Sequence, residues 1–294
     1  MRTEDVSPRF AELDLWPAAD VVAAVLDGQL AAAAIARAAA PAMAPAVDAA
    51  VAALDGGAGR LVYLGAGTSG RLAVQDAVEL PPTYGWPEER LLPLVAGGPE
   101  ALTRSVEAAE DDAADVRALV ATYAVGAGDV VVAVAASGTT PFAVAGLHAA
   151  RERGAVAIGI ANNAPSPLLD AAAFPIALPT GAEVVAGSTR MAAGTAQKAT
   201  LNALSTAIMV RLGRTWGNLM VDVAARNTKL EGRRIAMLGR IVDVDEATAR
   251  RALDMAGGHV KTAVLIALGD DATAAAARLA RHGGRLRAAW AERA

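Results

Sequence analysis

The 294-residue chain contains no cysteine, which removes disulfides, thiol nucleophiles and thiolate metal ligands together. Histidine is nearly as scarce. His148, His259 and His282 are the three present, and no two stand at the i, i+3 or i+4 spacing that puts imidazoles on one helix face. Acid–base chemistry in such a chain falls to its carboxylates, and no metal is expected. There is no basic block either: Lys+Arg 27 against Asp+Glu 31 gives a net charge of -4, whereas a nucleic-acid partner needs a basic face to neutralise phosphates. No uninterrupted apolar run reaches the ~20 residues of a bilayer span, although 54% of residues are hydrophobic and the mean hydropathy is +0.35. Alanine-rich stretches at 31–40 and 272–277 raise that figure, and alanine is first of all a helix former. Met1 to Phe10 is polar and charged, unlike a secretory leader. A cytoplasmic protein without a membrane partner is the expectation.

What is present is an alternation. Residues 1–55 read as helical, interrupted by Pro41 and Pro45 and ended by Gly56-Gly57. Short apolar runs then land on glycine, serine or asparagine: Arg60 to Leu64, Leu91 to Val95, Asp129 to Ala135, Ala155 to Ile160 and, more weakly, Phe174 to Leu178. Helical stretches at Gly70–Leu80, Pro99–Ala118, Pro141–Arg153 and Ser188–Arg211 follow or separate them. This pattern predicts an α/β fold, a doubly wound parallel sheet covered on both faces. After about residue 230 only short helices remain, separated by Asp243-Val244-Asp245, Gly257-Gly258, Gly269-Asp270-Asp271 and Gly283-Gly284. The expected organisation is a helical segment over 1–55, the sheet domain over 56–230 and a small helical subdomain over 231–294.

Ligands on such sheets bind at the carboxyl ends of the strands, where three similar loops fall. Gly65-Ala66-Gly67-Thr68-Ser69-Gly70 has the G-x-G-x-x-G pattern, but the next strand ends Ala96-Gly97-Gly98-Pro99, without the acidic residue that a dinucleotide ribose requires. Thr68 and Ser69 at a helix N-terminus suit a phosphate or a sugar hydroxyl instead, although an ordinary cap with tight-turn glycines explains this loop taken alone. Ser137-Gly138-Thr139-Thr140 repeats the arrangement, and Gly187-Ser188-Thr189-Arg190 does so a third time. Three such loops at one sheet edge describe a sugar-monophosphate pocket better than a nucleotide pocket. Two acidic positions stand out, Glu79 at the end of the first crossover helix before Pro81-Pro82 and Glu110 in the acidic run 107–112; spacing alone leaves both as ordinary surface residues.

Together, GAGTSGRL (65–72), Glu79 running into PPTYG (81–85), VAGG (95–98), SVEAAEDD (105–112), AASGTTP (135–141), EVVAGSTRM (183–191), AGTAQK (193–198) and NLMVDV (218–223) closely resemble the N-acetylmuramic acid 6-phosphate etherases. These belong to the sugar isomerase (SIS) superfamily and are related to the glucokinase regulatory protein. The resemblance runs from about residue 10 to His282-Gly283-Gly284. It implies a SIS fold and cleavage of the D-lactyl ether of N-acetylmuramate 6-phosphate, by elimination and hydration without a cofactor, in peptidoglycan amino-sugar recycling. It also implies Glu79 as catalytic acid and Glu110 as base, with one carboxyl kept protonated. Thr68, Ser69, Ser137, Gly138, Thr139 and Ser188 then hold the sugar phosphate. A homodimer with its site near the interface is implied too, Glu183 and His282 being candidates to act there. The chain departs from the family at Thr139, Ala192 and Arg226, where arginine, lysine and threonine are usual, so two cations near the pocket are lost. A sugar-phosphate-sensing regulatory protein and a sugar-phosphate isomerase are the alternatives.

Overall fold

The computed structural model describes residues 2–104, 106–223 and 228–292, without the side chains of Glu107 and 228–230. The chain divides into two compact units, Met1–Ala77 with Glu89–Ser205, and Val78–Glu88 with Thr206–Ala294. The helical C-terminal part is therefore continuous with residues from 206 onward and takes in an early segment around Glu79; it does not begin at 231. The N-terminal helices belong to the sheet unit.

The chain runs through α1 (Ala18–Ala38), α2 (Ala40–Leu54), β1 (Leu61–Gly65), α3 (Gly67–Val78), α4 (Leu80–Tyr84), β2 (Leu91–Val95), α5 (Ala113–Thr122), β3 (Val130–Ala135) and α6 (Pro141–Glu152). It continues through β4 (Val156–Ala161), α7 (Pro167–Ala171), β5 (Phe174–Ala177) and α8 (Ala192–Arg211). All strand pairings are parallel, in the order β2-β1-β3-β4-β5. The two edge strands each contain a proline, Pro93 and Pro175. A residue with no N–H interrupts a ladder unless it sits on an edge, so these prolines fit only the outer positions. Inner strands alternate between two buried faces. Val62, Leu64, Val131 and Ala133 pack in one cluster with Phe142, Leu147, Val116 and Val120 of the covering helices, while α2 lies against β3, β4 and β5.

Tyr63 points to the opposite face from Val62 and donates to the buried Asp76 carboxylate at 2.8 Å. Asn202 at 2.5 Å and Ser205 at 3.1 Å donate to the other Asp76 oxygen. Burial, with the facing carboxylate, raises the Tyr63 phenol well above its ordinary pKa. Three hydrogen bonds thus satisfy a carboxylate that would otherwise be costly to bury, and they tie β1, α3 and α8 together.

Some local expectations change. Pro41 occupies the first turn of α2 and Pro45 lies inside it without ending it. The stretch 99–118 is not one helix: 3-10 turns at Gly98–Leu102 and Glu107–Asp111 precede α5, and Asp112 leaves helical geometry to cap α5 by accepting from Ala114 and Asp115. α1 is long and apolar enough to cross a membrane by length and composition alone. Its Ala24, Ala32 and Ala36 are buried, whereas Val22, Leu26 and Leu30 are exposed by 57%, 55% and 71%.

The second unit contains α9 (Thr228–Val242), α10 (Glu246–Met255), α11 (Val260–Ala267), α12 (Ala272–Arg281) and α13 (Leu286–Ala291). Leu238, Leu253, Val264 and Leu286 form part of its core. The half-buried Asp222 accepts from the buried Lys261 at 2.5 Å and lies 3.5 Å from Arg214.

Candidate active site

The strand order reverses direction between β1 and β3, each of which continues outward, and a crevice opens at such a switch point. The loops leaving β1 and β3 both carry adjacent hydroxyls, Thr68 and Ser69 after β1 and Ser137, Thr139 and Thr140 after β3. Backbone packing explains the glycines of the first. A Cβ on Gly70 would lie 2.9 Å from the carbonyl of Gly65 and 3.0 Å from Val95 Cγ1, so the strand end and the start of α3 can touch only without side chains. Gly67, at φ +53°, has open space around it and is required for its left-handed backbone. Thr68 and Ser69 thereby stand in the first turn of α3, half-buried and buried respectively.

After β3, Ser137 turns the chain by accepting from the Thr139 amide at 3.1 Å and the Thr139 hydroxyl at 3.0 Å. Gly138, at φ +71°, lies where a Cβ would collide with Ser166. The Thr140 side chain makes no capping bond to α6, leaving that helix start available to an anion. At the third loop, Ser188 is half-buried and Arg190 exposed. The helix begins at Ala192, four residues later than the hydroxyl pattern suggests. Gly194 in its first turn faces α3, where a Cβ would lie 3.5 Å from Leu72 and 3.8 Å from Thr68.

Residues that the sequence did not single out connect these loops. Asn163 donates to the Ser137 carbonyl at 3.4 Å and to the Thr3 hydroxyl at 3.0 Å, and Thr3 returns its amide to the Asn163 carbonyl at 3.1 Å. The Thr3 carbonyl then accepts from Gly187 at 3.4 Å. Asn162, at the end of β4, donates to the carbonyls of Leu178 and Ala193 and accepts from Gln197 at 2.8 Å. A pair of asparagines at the end of a buried strand, where side chains must satisfy loop backbone, is the signal that marks them.

Glu183 is 2% exposed, and its two carboxylate oxygens accept from the amides of Ala192 and Ala193 at 3.0 and 2.9 Å. It also borders a cavity of about 240 Å³ between α1 and the 180–192 segment, which neither the 65–70 nor the 135–140 loop lines. Glu110 is exposed on the 3-10 turn before α5. Glu79 is exposed and follows α3 directly. His282 ends α12, with a ring nitrogen 2.6 Å from Glu292. The first unit thus holds Thr68, Ser69, Glu110, Ser137, Gly138, Thr139, Glu183 and Ser188, and the second holds Glu79 and His282. Arg226 and Ser105 lie outside the described residues. Leu201, Leu204, Ile208 and Met209 of α8 are buried within the chain, and Met191 just before it is half-buried. Among the described residues no group of three His, Asp or Glu side chains forms a metal cluster.

The model of the glucokinase regulatory protein N-terminal SIS domain matches residues 42–151, and that of the SIS domain matches 104–207. An N-acetylmuramic acid 6-phosphate etherase of Deinococcus radiodurans is 50% identical over 97% of this chain and 94% of its own length. The chain belongs to the N-acetylmuramic acid 6-phosphate etherase family. The family's etherase of Streptomyces coelicolor is 45% identical over 99% of this chain and 94% of its own. For etherase 2 of Vibrio parahaemolyticus the figures are 44%, 98% and 96%. Family membership agrees with the fold read from the sequence, a parallel SIS sheet with helical segments before and after it.

Proposed function

We propose that this chain cleaves the D-lactyl ether of N-acetylmuramate 6-phosphate, releasing D-lactate and N-acetylglucosamine 6-phosphate, as a step of peptidoglycan amino-sugar recycling. Two hydroxyl-bearing loops flanking the β1/β3 switch point carry this reading, together with identity near one half to named etherases along almost the whole chain. The amides at the starts of α3 and α6, with Ser69, Ser137 and Thr139, supply the donors that a phosphate monoester needs. Ser188 and Thr68 face the sugar.

In this reading the open-chain aldehyde acidifies the C2 proton, Glu110 removes it, and Glu79 protonates the departing lactyl oxygen. Water then adds to the unsaturated aldehyde. Glu79, now ionised, takes a proton from the adding water and Glu110 returns its proton to C2, so both carboxyls end as they began and the reaction needs none of the thiols the chain lacks.

The working enzyme is a cytoplasmic homodimer with each site near the subunit interface. The exposed Val22, Leu26 and Leu30 stripe of α1 is apolar surface that pairing would bury. Release of D-lactate from N-acetylmuramate 6-phosphate by the purified protein is the deciding assay; interconversion of aldose and ketose phosphates instead, or binding without turnover, would replace the etherase reading. Mixing inactive Glu110 and His282 variants should restore activity if sites are shared between subunits, and a fully active monomer in sedimentation would exclude sharing.

A further inference from the structure

We infer that Glu183 is a positioning residue of the sugar-phosphate pocket, one that fixes the Ser188 loop and reserves the substrate phosphate for the other two loops. The inference rests on the etherase reading of that site. Glu183 and Ala192 are nine residues apart, and the carboxylate on the amides of Ala192 and Ala193 closes the chain between them into a loop with a fixed neck. Inside that loop the turns are set by bonds from Ser188 to Val185, Thr189 to Gly187 and Met191 to Ser188. The neck is clasped from its other side by Asn162, which bonds the carbonyls of Leu178 and Ala193. Ser188 therefore hangs from a frame whose far end abuts Thr68 through Gly194.

Charge gives Glu183 a second effect. Each of the three hydroxyl loops leads into a helix, and each helix start attracts anions. At α8 the attraction is already satisfied by a buried carboxylate bound through both oxygens. A substrate dianion approaching this corner meets an occupied helix terminus with a negative charge on it, whereas α6 has no side-chain cap. Glu183 thus sends the phosphate towards the amides after β1 and β3, while the Ser188 hydroxyl is left for the uncharged part of the sugar. With both oxygens taken by backbone N–H groups, the carboxylate is not free to act as an acid or base on the substrate.

The test is Glu183→Gln, with Glu183→Ala as a second variant, compared with wild type for folding, turnover and binding of inorganic phosphate by calorimetry. The amide keeps shape and one acceptor but removes the charge. The expected result is a KM for N-acetylmuramate 6-phosphate raised about tenfold with kcat within about threefold and an unmoved pH profile. Inorganic phosphate, which does not use the Ser188 loop, should bind about two- to fivefold more tightly. These opposite movements distinguish positioning from plain loosening. Substrate and phosphate both weakening in parallel, neither changing in a folded variant, or a collapse of kcat with loss of one limb of the pH profile would each overturn the inference. So would a wild-type protein that binds no phosphate. Because the phosphate measurement needs no turnover, failure of the etherase assay in wild type would remove the function while leaving the Glu183 result readable.

Discussion

The first loop offers a sharp test, because its glycines are required for different reasons. In Gly70→Ala the new methyl carbon falls 2.9 Å from the Gly65 carbonyl carbon and oxygen and 3.0 Å from Val95 Cγ1. Backbone atoms cannot step aside as a side chain can, so α3 must move away from β1. Overpacking of this kind costs about 1–3 kcal/mol, and the rigidity of the neighbours here puts the expectation at the upper end, about 3 kcal/mol. In Gly67→Ala nothing lies within 4 Å, and only the φ of +53° opposes the change; an L-residue there costs about 1–2 kcal/mol. Urea unfolding should rank Gly70→Ala below Gly67→Ala. The thermal midpoints should fall by about 2–4 °C per kcal/mol. Since the displaced helix start carries Thr68 and Ser69, Gly70→Ala should also raise KM. Gly70→Ala with wild-type stability and KM would falsify the close-approach account of the motif.

Glu79→Gln and Glu110→Gln should each lower turnover on the order of 10²-fold with little effect on stability, as expected for exposed acid–base groups. Loss of Glu110 should abolish exchange of the substrate C2 proton with solvent while loss of Glu79 leaves some, and equal exchange in both variants would reverse the assignment. Ser69→Ala and Ser137→Ala should raise KM more than they lower kcat, and unphosphorylated N-acetylmuramate should be a poor substrate; efficient cleavage of it would discard the phosphate pocket. At the opposite end of the sheet, burial disfavours the Asp129 anion. The Arg60 side chain at 2.7 Å, with the amides of Arg60 and Gly126, outweighs that and holds the carboxyl below its ordinary pKa. A carboxyl depressed on folding stabilises the native state above its unfolded pKa of about 3.9, and that stability is lost as pH falls through the lower folded value. Arg60→Gln should therefore flatten the acid limb of the stability curve, measured by unfolding as the pH is lowered through and below the unfolded value; an unchanged limb would assign the depression to the amides alone.

Strand–helix alternation was legible in the sequence because parallel strands buried on both faces are short apolar runs, and each run ends on residues that turn the chain. Even the edge positions of β2 and β5 were available there, since Pro93 and Pro175 cannot donate to a ladder. The hydroxyl loops could be read for the same local reason: glycine, serine and threonine act on the backbone within a few residues of themselves. Glu183 could not be read in this way. Its role depends on a helix beginning nine residues later at Ala192, and only the folded loop brings that carboxylate to those amides. The same holds for Thr3, which looked like part of a polar N-terminus and is instead buried, bonded to Asn163 after β4 and to Gly187 after β5. Nothing beside Asp76 in the sequence marks it, yet Tyr63, Asn202 and Ser205 converge on it from elements far apart in the chain. Local backbone preference and apolar periodicity are written in neighbouring residues. The partner of a buried polar group is chosen by whatever else the fold delivers to the same place, and for this chain tertiary packing alone decided it.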